Sequence, residues 1–404
     1  MRKLQRNIIA SFLCGLMLLT GCMKQEETIV TFTKTEDMKL LPEEYVIPTQ
    51  EKLLQDYLAS MTLEEKVGQM FYVTIGNLSQ PDLEISNSIL NLTETEIGVL
   101  QEYHPGGVIL MGGNIQTDAQ VLELTTALQQ NTETPLFIGV DEEGGMVSRL
   151  GSAEGITMAD VGTMQSIGSQ GDVQEAYAVG TTLAGGLSTL GFNMDFAPVA
   201  DVLTNPYNYE IGSRSFGSDA NQVSGMVSSE IQGLQEHGVS AVTKHFPGHG
   251  GVIGNSHMNL QYVDTPLEAL RQQEFLPFQS AIETKTDAIL VSHLVLQSVD
   301  AETPSTLSKP VVTGLLREEL GYDGIIMTDS FQMGSITENY EQSEAAVSAV
   351  QAGCDMILMP LEYEACYRGV LEAVRDGRIS EEQIDAACMR ILKAKAERGI
   401  LTLE

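Results

Sequence analysis

Short apolar runs alternate with longer segments of helical periodicity along most of the chain. The runs fall at Gln69–Thr74, Gly107–Met111, Leu136–Val140, Asn193–Ala197, Ala241–Lys244, Ala288–Val291, Gly324–Thr328 and Asp355–Met359, eight in all. Between them, Asp118–Gln130, Ser218–His237 and Leu267–Thr284 place apolar residues three and four apart, as a helix with one buried face requires. Strands this short, separated by helices, predict βαβ units and a parallel sheet. Thr62 with Glu65 and Ser380 with Gln383 fit the capping-box pattern, in which two side chains satisfy each other's backbone N–H at a helix start. The second box opens a last helix with Ile384, Ala387, Ile391 and Ala394 on one face, ending near Gly399. No internal repeat or low-complexity tract interrupts the pattern.

Eight strand–helix units suit a single (β/α)8 barrel of the TIM type, and an open doubly wound sheet would show a similar alternation. The polar residues separate the two. Asp141, the Lys244–His245 pair, His293 and Asp329 fall at the C-terminal ends of four different expected strands. A barrel brings all such ends to one face, where active sites are built. An open sheet converges only the strands beside its switch point. The expected fold is therefore a barrel over residues 49–404.

The segment before it reads differently. Arg2, Lys3 and Arg6 precede a mostly apolar run from Ile8 to Thr20. That run is shorter than the roughly 20 residues a spanning helix needs. Residues 1–21 read as a secretory signal. Leu19-Thr20-Gly21-Cys22 resembles a bacterial lipobox, which would make Cys22 a lipidated first residue. Residues 22–48, charged and without periodicity, read as a linker. The expected location is outside the cytoplasm, held to the bacterial cell membrane by the lipid anchor alone.

The formal net charge of −33, or −36 without the three basic residues of 1–21, argues against nucleic acid and against broad contact with anionic lipid. Of five cysteines, Cys354, Cys366 and Cys388 lie in the barrel region with no CxxC spacing. Neither a disulfide framework nor a zinc site is indicated, and buried thiols are expected.

Candidate chemistry concentrates in Lys244-His245-Phe246-Pro247-Gly248-His249-Gly250, followed by Asn255-Ser256-His257. Four of the six histidines lie between 245 and 293. His245 and His249 are four apart, but Pro247 and Gly248 would break the helix that a zinc-binding pair needs, so no metal is expected. Lys and His on a barrel strand imply a polar cavity, where they suit sugar hydroxyls. The loop after them would project His257 over that cavity. Gly324–Ser330 is an apolar strand ending in Asp329, which is either a site carboxylate or a helix N-cap. Asp141-Glu142-Glu143-Gly144-Gly145 with Arg149 is a second strand end rich in carboxylates. Arg214, in Ile211–Gly217, either clamps a substrate carbonyl or carboxylate or pairs with one of the many acids.

Together these segments resemble glycoside hydrolase family 3, and within it the NagZ-like β-N-acetylglucosaminidases. The likeness covers nearly all of residues 50–400. It is carried by KHFPGHG at 244–250, the Ser-His ending at His257 and GIIMTDS at 324–330. DEEGG…R at 141–149, FAPVADV at 196–202, RSFG at 214–217 and AGCDMILMP at 352–360 add to it. The resemblance implies a retaining double displacement with Asp329 as nucleophile and His257 as acid/base, on a mobile loop. Histidine suits the task because its ordinary pKa is about 6.5. By the same motifs, Asp141, Arg149, Arg214, Lys244 and His245 would bind a terminal N-acetylglucosamine, His293 would line the pocket, and no cofactor is implied. The chain departs from the family where Asn255 replaces the aspartate two before the acid/base histidine. Gly251 and Met146 also stand where an acid and an arginine are usual. Other family activities (β-glucosidase, β-xylosidase, a phosphorylase) and a non-catalytic sugar-binding lipoprotein remain alternatives.

Overall fold

The computed structural model describes residues 49–79, 88–254 and 258–403; Cys22 and the signal and linker segments lie outside them. Eight strands form the main sheet, in the chain order expected: β1 Phe71–Thr74, β2 Gly107–Ile109, β3 Phe137–Val140, β4 Met194–Asp195, β5 Ser240–Phe246, β6 Ala288–Val291, β7 Ile325–Thr328 and β8 Ile357–Leu358. They pair in parallel in the order β7-β6-β5-β4-β3-β2-β1-β8. A parallel bridge between Met327 and Met356 joins the two ends and closes the barrel.

The strands read as near-continuous apolar runs because both faces are covered: by side chains in the barrel and by helices outside it. Tyr72, Phe137 and Phe196 are fully buried, and each such side chain removed from water contributes about 1.5–3 kcal/mol. At the N-terminal end Lys395 plugs the barrel. Its buried Nζ donates to Gln69 Oε1 at 2.7 Å and sits 5.3 Å from the Phe137 ring centre, and burial lowers its pKa to about 7. The opposite end is open.

Local chemistry accounts for the helix boundaries. Thr62 and Glu65 form the full capping box. Ser380 caps Gln383 N–H, but the Gln383 side chain reaches across to the Val350 carbonyl instead of returning, so this box is half made. Ile384, Ala387, Ile391 and Ala394 form the buried face of the last helix, Glu381–Glu397. The expected helix over Leu267–Thr284 is two helices, Leu267–Gln272 and Phe275–Glu283. The break puts Pro277 in a first turn, where its missing N–H costs nothing. Cys354, Cys366 and Cys388 are buried free thiols. Among the described residues no helix is long and apolar enough to cross a membrane.

Candidate active site

A cavity of about 330 Å³ opens at the C-terminal end of the barrel, a size and setting usual for a small-ligand site. Asp141, Arg149, Arg214, Lys244, His245 and Asp329 all line it. The sequence thus brings four strand-end or loop segments to one place, as a closed barrel requires.

The floor is an ion network. Lys244 Nζ, almost fully buried, lies 2.7 Å from Asp141 Oδ1 and 2.6 Å from Glu143 Oε1. Arg214 grips Glu143 in a two-pronged contact, Nε and Nη2 each 2.8 Å from a carboxylate oxygen, and Nη1 donates to the Glu210 carbonyl. Burial raises the Glu143 carboxyl, but the Lys244 and Arg214 charges outweigh it and hold it down at about 2. Burial likewise depresses Lys244, and Asp141 and Glu143 reverse this and raise it. Arg149 Nη2 stands 4.0 Å from Asp141 Oδ2, and its side chain, about a third exposed, lies at the wall of the cavity. Of these cations, Arg149 offers most to a ligand, since Arg214 spends its donors on the protein.

The loop carrying Asp141 and Arg149 is folded by Glu142. Its buried carboxylate accepts from Leu150 N at 2.7 Å, Gly151 N and the Ser148 hydroxyl, while its own N–H donates to Asp195 Oδ1. Gly144 makes the turn at φ +84°, where a Cβ would meet Val161 Cγ2 at 2.6 Å. Period-two alternation puts Asp141 and Glu143 on the inner face and Glu142 on the outer one.

His245 is oriented from below. Its Nδ1 is 2.6 Å from Asp201 Oδ2, whose other oxygen accepts His249 N–H at 2.6 Å. Burial pushes the Asp201 carboxyl up, and His245 and His249 overcome this and lower it. A carboxylate accepts, so Nδ1 carries the proton, and the Nε2 lone pair accepts from Arg214 Nη2 at 3.4 Å, which seats the ring against the guanidinium at the cavity wall. Gly250 lets this loop close on the Val202 carbonyl, which a Cβ would strike at 1.9 Å. Among the described residues no group of three His, Cys, Asp or Glu side chains could hold a metal.

Asp329 sits on the turn after β7, its N–H donating to the Val291 carbonyl and its Oδ1 accepting Ser330 N–H, both at 2.8 Å. No helix starts there, so the N-cap alternative falls; the next helical turn is Gly334–Thr337. His293 does not line the cavity. It is fully buried, with Nε2 2.9 Å from the Ser330 carbonyl and Nδ1 2.8 Å from Thr306 Oγ1, because the chain turns directly from β6 into the short strand Leu294–Leu296. Of the two readings left open for Arg214, the structure shows the pairing with an acid, Glu143, while the side chain also lines the cavity. His257 and Asn255 lie outside the described residues.

Sequence reasoning missed Glu143, Asp201 and Gln332. Alternation after β3 signals Glu143, and the FAPVADV match holds Asp201, but no pattern marks Gln332, which lines the cavity three residues past Asp329. Behind the site, Glu230 is buried on helix Ala220–Gln235 with no hydrogen-bond partner among the described residues. Burial, and then the Glu143 charge, raise its carboxyl to about 8.

Comparison with known proteins gives a consistent result. Residues 62–394 match the model of the glycosyl hydrolase family 3 N terminal domain. Beta-hexosaminidase A of Pseudoalteromonas piscicida is 30% identical over 368 residues, covering 84% of this chain and 61% of the relative. Beta-hexosaminidase LpqI of Mycobacterium tuberculosis is 33% identical over 307 residues, covering 74% and 77%. A glycoside hydrolase family 3 beta-N-acetylglucosaminidase from Paenibacillus superposes with a TM-score of 0.78 at 37% identity, over 85% of this chain and 65% of that one. The chain therefore spans less than two thirds of two of these relatives and more of the third.

Proposed function

The chain belongs to glycosyl hydrolase family 3, and from that premise we propose that it is a retaining exo-β-N-acetylglucosaminidase acting on cell-wall fragments or related glycans. The observation that carries the reading is the convergence of Asp329 with Asp141, Arg149, Lys244 and His245 on one cavity of about 330 Å³. A cavity of that size, closed below by an ion network, suits a single terminal sugar. The names of the beta-hexosaminidase relatives support the N-acetylhexosamine class.

In the proposed reaction an Asp329 oxygen attacks the anomeric carbon as the bond to the leaving oxygen breaks. His257 gives that oxygen a proton. A glycosyl ester of Asp329 results. Neutral His257 then takes a proton from water, whose oxygen attacks the same carbon, and the Asp329 carboxylate leaves. Two inversions give net retention. Asp141 accepts sugar hydroxyl protons, Lys244 and Arg149 donate to hydroxyl or carbonyl oxygens, and the His245 ring lines the sugar beside them. Asp201 and Glu143 keep these groups aimed. Preorganised charges of this kind strengthen interactions that tighten as positive charge develops on the ring.

Hydrolysis of an aryl N-acetyl-β-glucosaminide, with Asp329→Ala as control, tests the assignment. Turnover should be independent of inorganic phosphate and fall by about 10⁴-fold or more in the variant. Phosphate-dependent release of a sugar 1-phosphate would instead make the enzyme a phosphorylase. Sugar binding without turnover would make it a binder. We further propose that Cys22 carries the lipid anchor; Cys22→Ala should move the protein from the membrane to the soluble fraction.

A further inference from the structure

The peptide groups after Asp329 are fixed from several sides. Ser330 N–H donates to Asp329 Oδ1 at 2.8 Å. The next peptide plane is gripped at both edges: the Ser330 carbonyl lies 2.9 Å from His293 Nε2, and Phe331 N–H donates to the Leu358 carbonyl at 3.0 Å. A carbonyl only accepts, so His293 Nε2 must carry a proton. Its Nδ1 lies 2.8 Å from the Thr306 hydroxyl oxygen. Thr306 sits in the turn Ser305–Leu307, itself tied to the barrel by Ser305 Oγ donating to the Leu294 carbonyl at 2.7 Å. The imidazole is fully buried and packs 5.9 Å from the Phe331 ring. Its surroundings thus hold the ring in one orientation.

We propose that His293 is a positioning residue for Asp329: through Thr306 and the Ser330 carbonyl it sets the backbone that aims the attacking carboxylate at the anomeric carbon. The inference rests on Asp329 being the nucleophile. His293 lies off the cavity wall, so its loss should leave binding of the sugar largely intact. What it controls is the direction of the carboxylate, since Oδ1 is tethered to the same residue whose carbonyl His293 holds. A misplacement on the order of 1 Å can cost about 10²-fold in rate.

The test compares wild type, His293→Leu, His293→Gln and Thr306→Val by the rate at which a 5-fluoro N-acetylglucosaminyl fluoride labels the enzyme, followed by intact mass. Steady-state kcat and KM are measured alongside. A Gln amide nitrogen can reach the Ser330 carbonyl, whereas Leu cannot donate at all. Labelling and kcat should fall about 100-fold in His293→Leu with KM within about threefold, and His293→Gln should recover to within about tenfold of wild type. Thr306→Val, which removes the contact at Nδ1 that holds the ring, should lose about tenfold. Labelling of His293→Leu at the wild-type rate overturns the proposal, as does a folded Gln variant no better than Leu. Should the Leu variant fail to fold, wild-type labelling in Thr306→Val overturns it. An unlabelled wild type would instead remove Asp329 as nucleophile, and the inference with it.

Discussion

Replacing Glu143 by glutamine keeps the shape of the side chain and removes the charge that Lys244 and Arg214 both face. In the folded protein the Glu143 carboxyl is held at about 2, against an ordinary 4.5. A gap of about 2.5 units corresponds to about 3 kcal/mol of stability. The magnitude agrees with the roughly 3–5 kcal/mol expected when one partner of a buried ion pair is removed. The sign follows from the depressed value. Above about pH 4.5 the group is ionised in both folded and unfolded chains, and its contribution is fully present. As pH falls through that value the unfolded chain takes up the proton first, and the contribution drains away until both states are protonated below about pH 2. Urea unfolding of wild type and Glu143→Gln should therefore differ by about 3 kcal/mol near neutral pH and by about 1.4 kcal/mol near pH 3. A gap that does not change with pH, or one below about 1 kcal/mol at neutral pH, would refute the reasoning. The same variant should lose sugar binding, because Lys244 would be left with Asp141 as its one anion among the contacts described above.

Glu230 predicts the opposite trend: with its carboxyl raised by burial to about 8, the unfolded chain releases its proton first, so wild type should lose about 3.5 kcal/mol relative to Glu230→Gln between about pH 5 and pH 8. Parallel stability curves for the two proteins would count against a buried neutral acid. Asp201→Asn should lower kcat/KM by about 10–100-fold, because an amide can present its N–H to His245 and so allows the tautomer whose Nε2–H opposes the Arg214 donor, turning the ring from its place on the cavity wall. Unchanged kcat/KM would mean that the orientation of His245 does not matter to the reaction. Asn255→Asp should favour imidazolium at His257 and move the basic limb of the pH dependence of kcat/KM up by about one unit. Superimposable limbs would show that residue 255 does not govern the acid/base group.

Much of this architecture is legible in the chain because the two periodicities that matter are local. β6, Ala288–Val291, coincides with its apolar run, and the other seven strands fall within or overlap theirs. Helix Asp118–Gln130 is likewise readable from its own residues. The identity of the site floor is less so. Glu143 is visible as a third consecutive acid, but that its partners are Lys244 and Arg214 depends on barrel closure, which joins positions about 70 and 100 residues apart. Arg214 shows the same limit: that an arginine in so acidic a chain would pair with an acid is readable from the sequence, but which buried carboxylate the fold delivers, here Glu143, is not. His293 shows the complementary failure. Its place at a strand end is correct, yet the direction of its ring is set by Thr306 and Ser330, residues of two other segments that no local pattern connects to it.

The central claim is that the Asp329 carboxylate lies beneath the sugar ring as the attacking group. Azide rescue of Asp329→Ala with an activated aryl N-acetyl-β-glucosaminide tests it directly, since a small anion can enter the space the side chain leaves. Attack from that side inverts the anomeric carbon, so the account predicts azide-dependent turnover and an α-glycosyl azide, seen by NMR. A β-glycosyl azide, or undiminished hydrolysis by the variant in buffer alone, would contradict it.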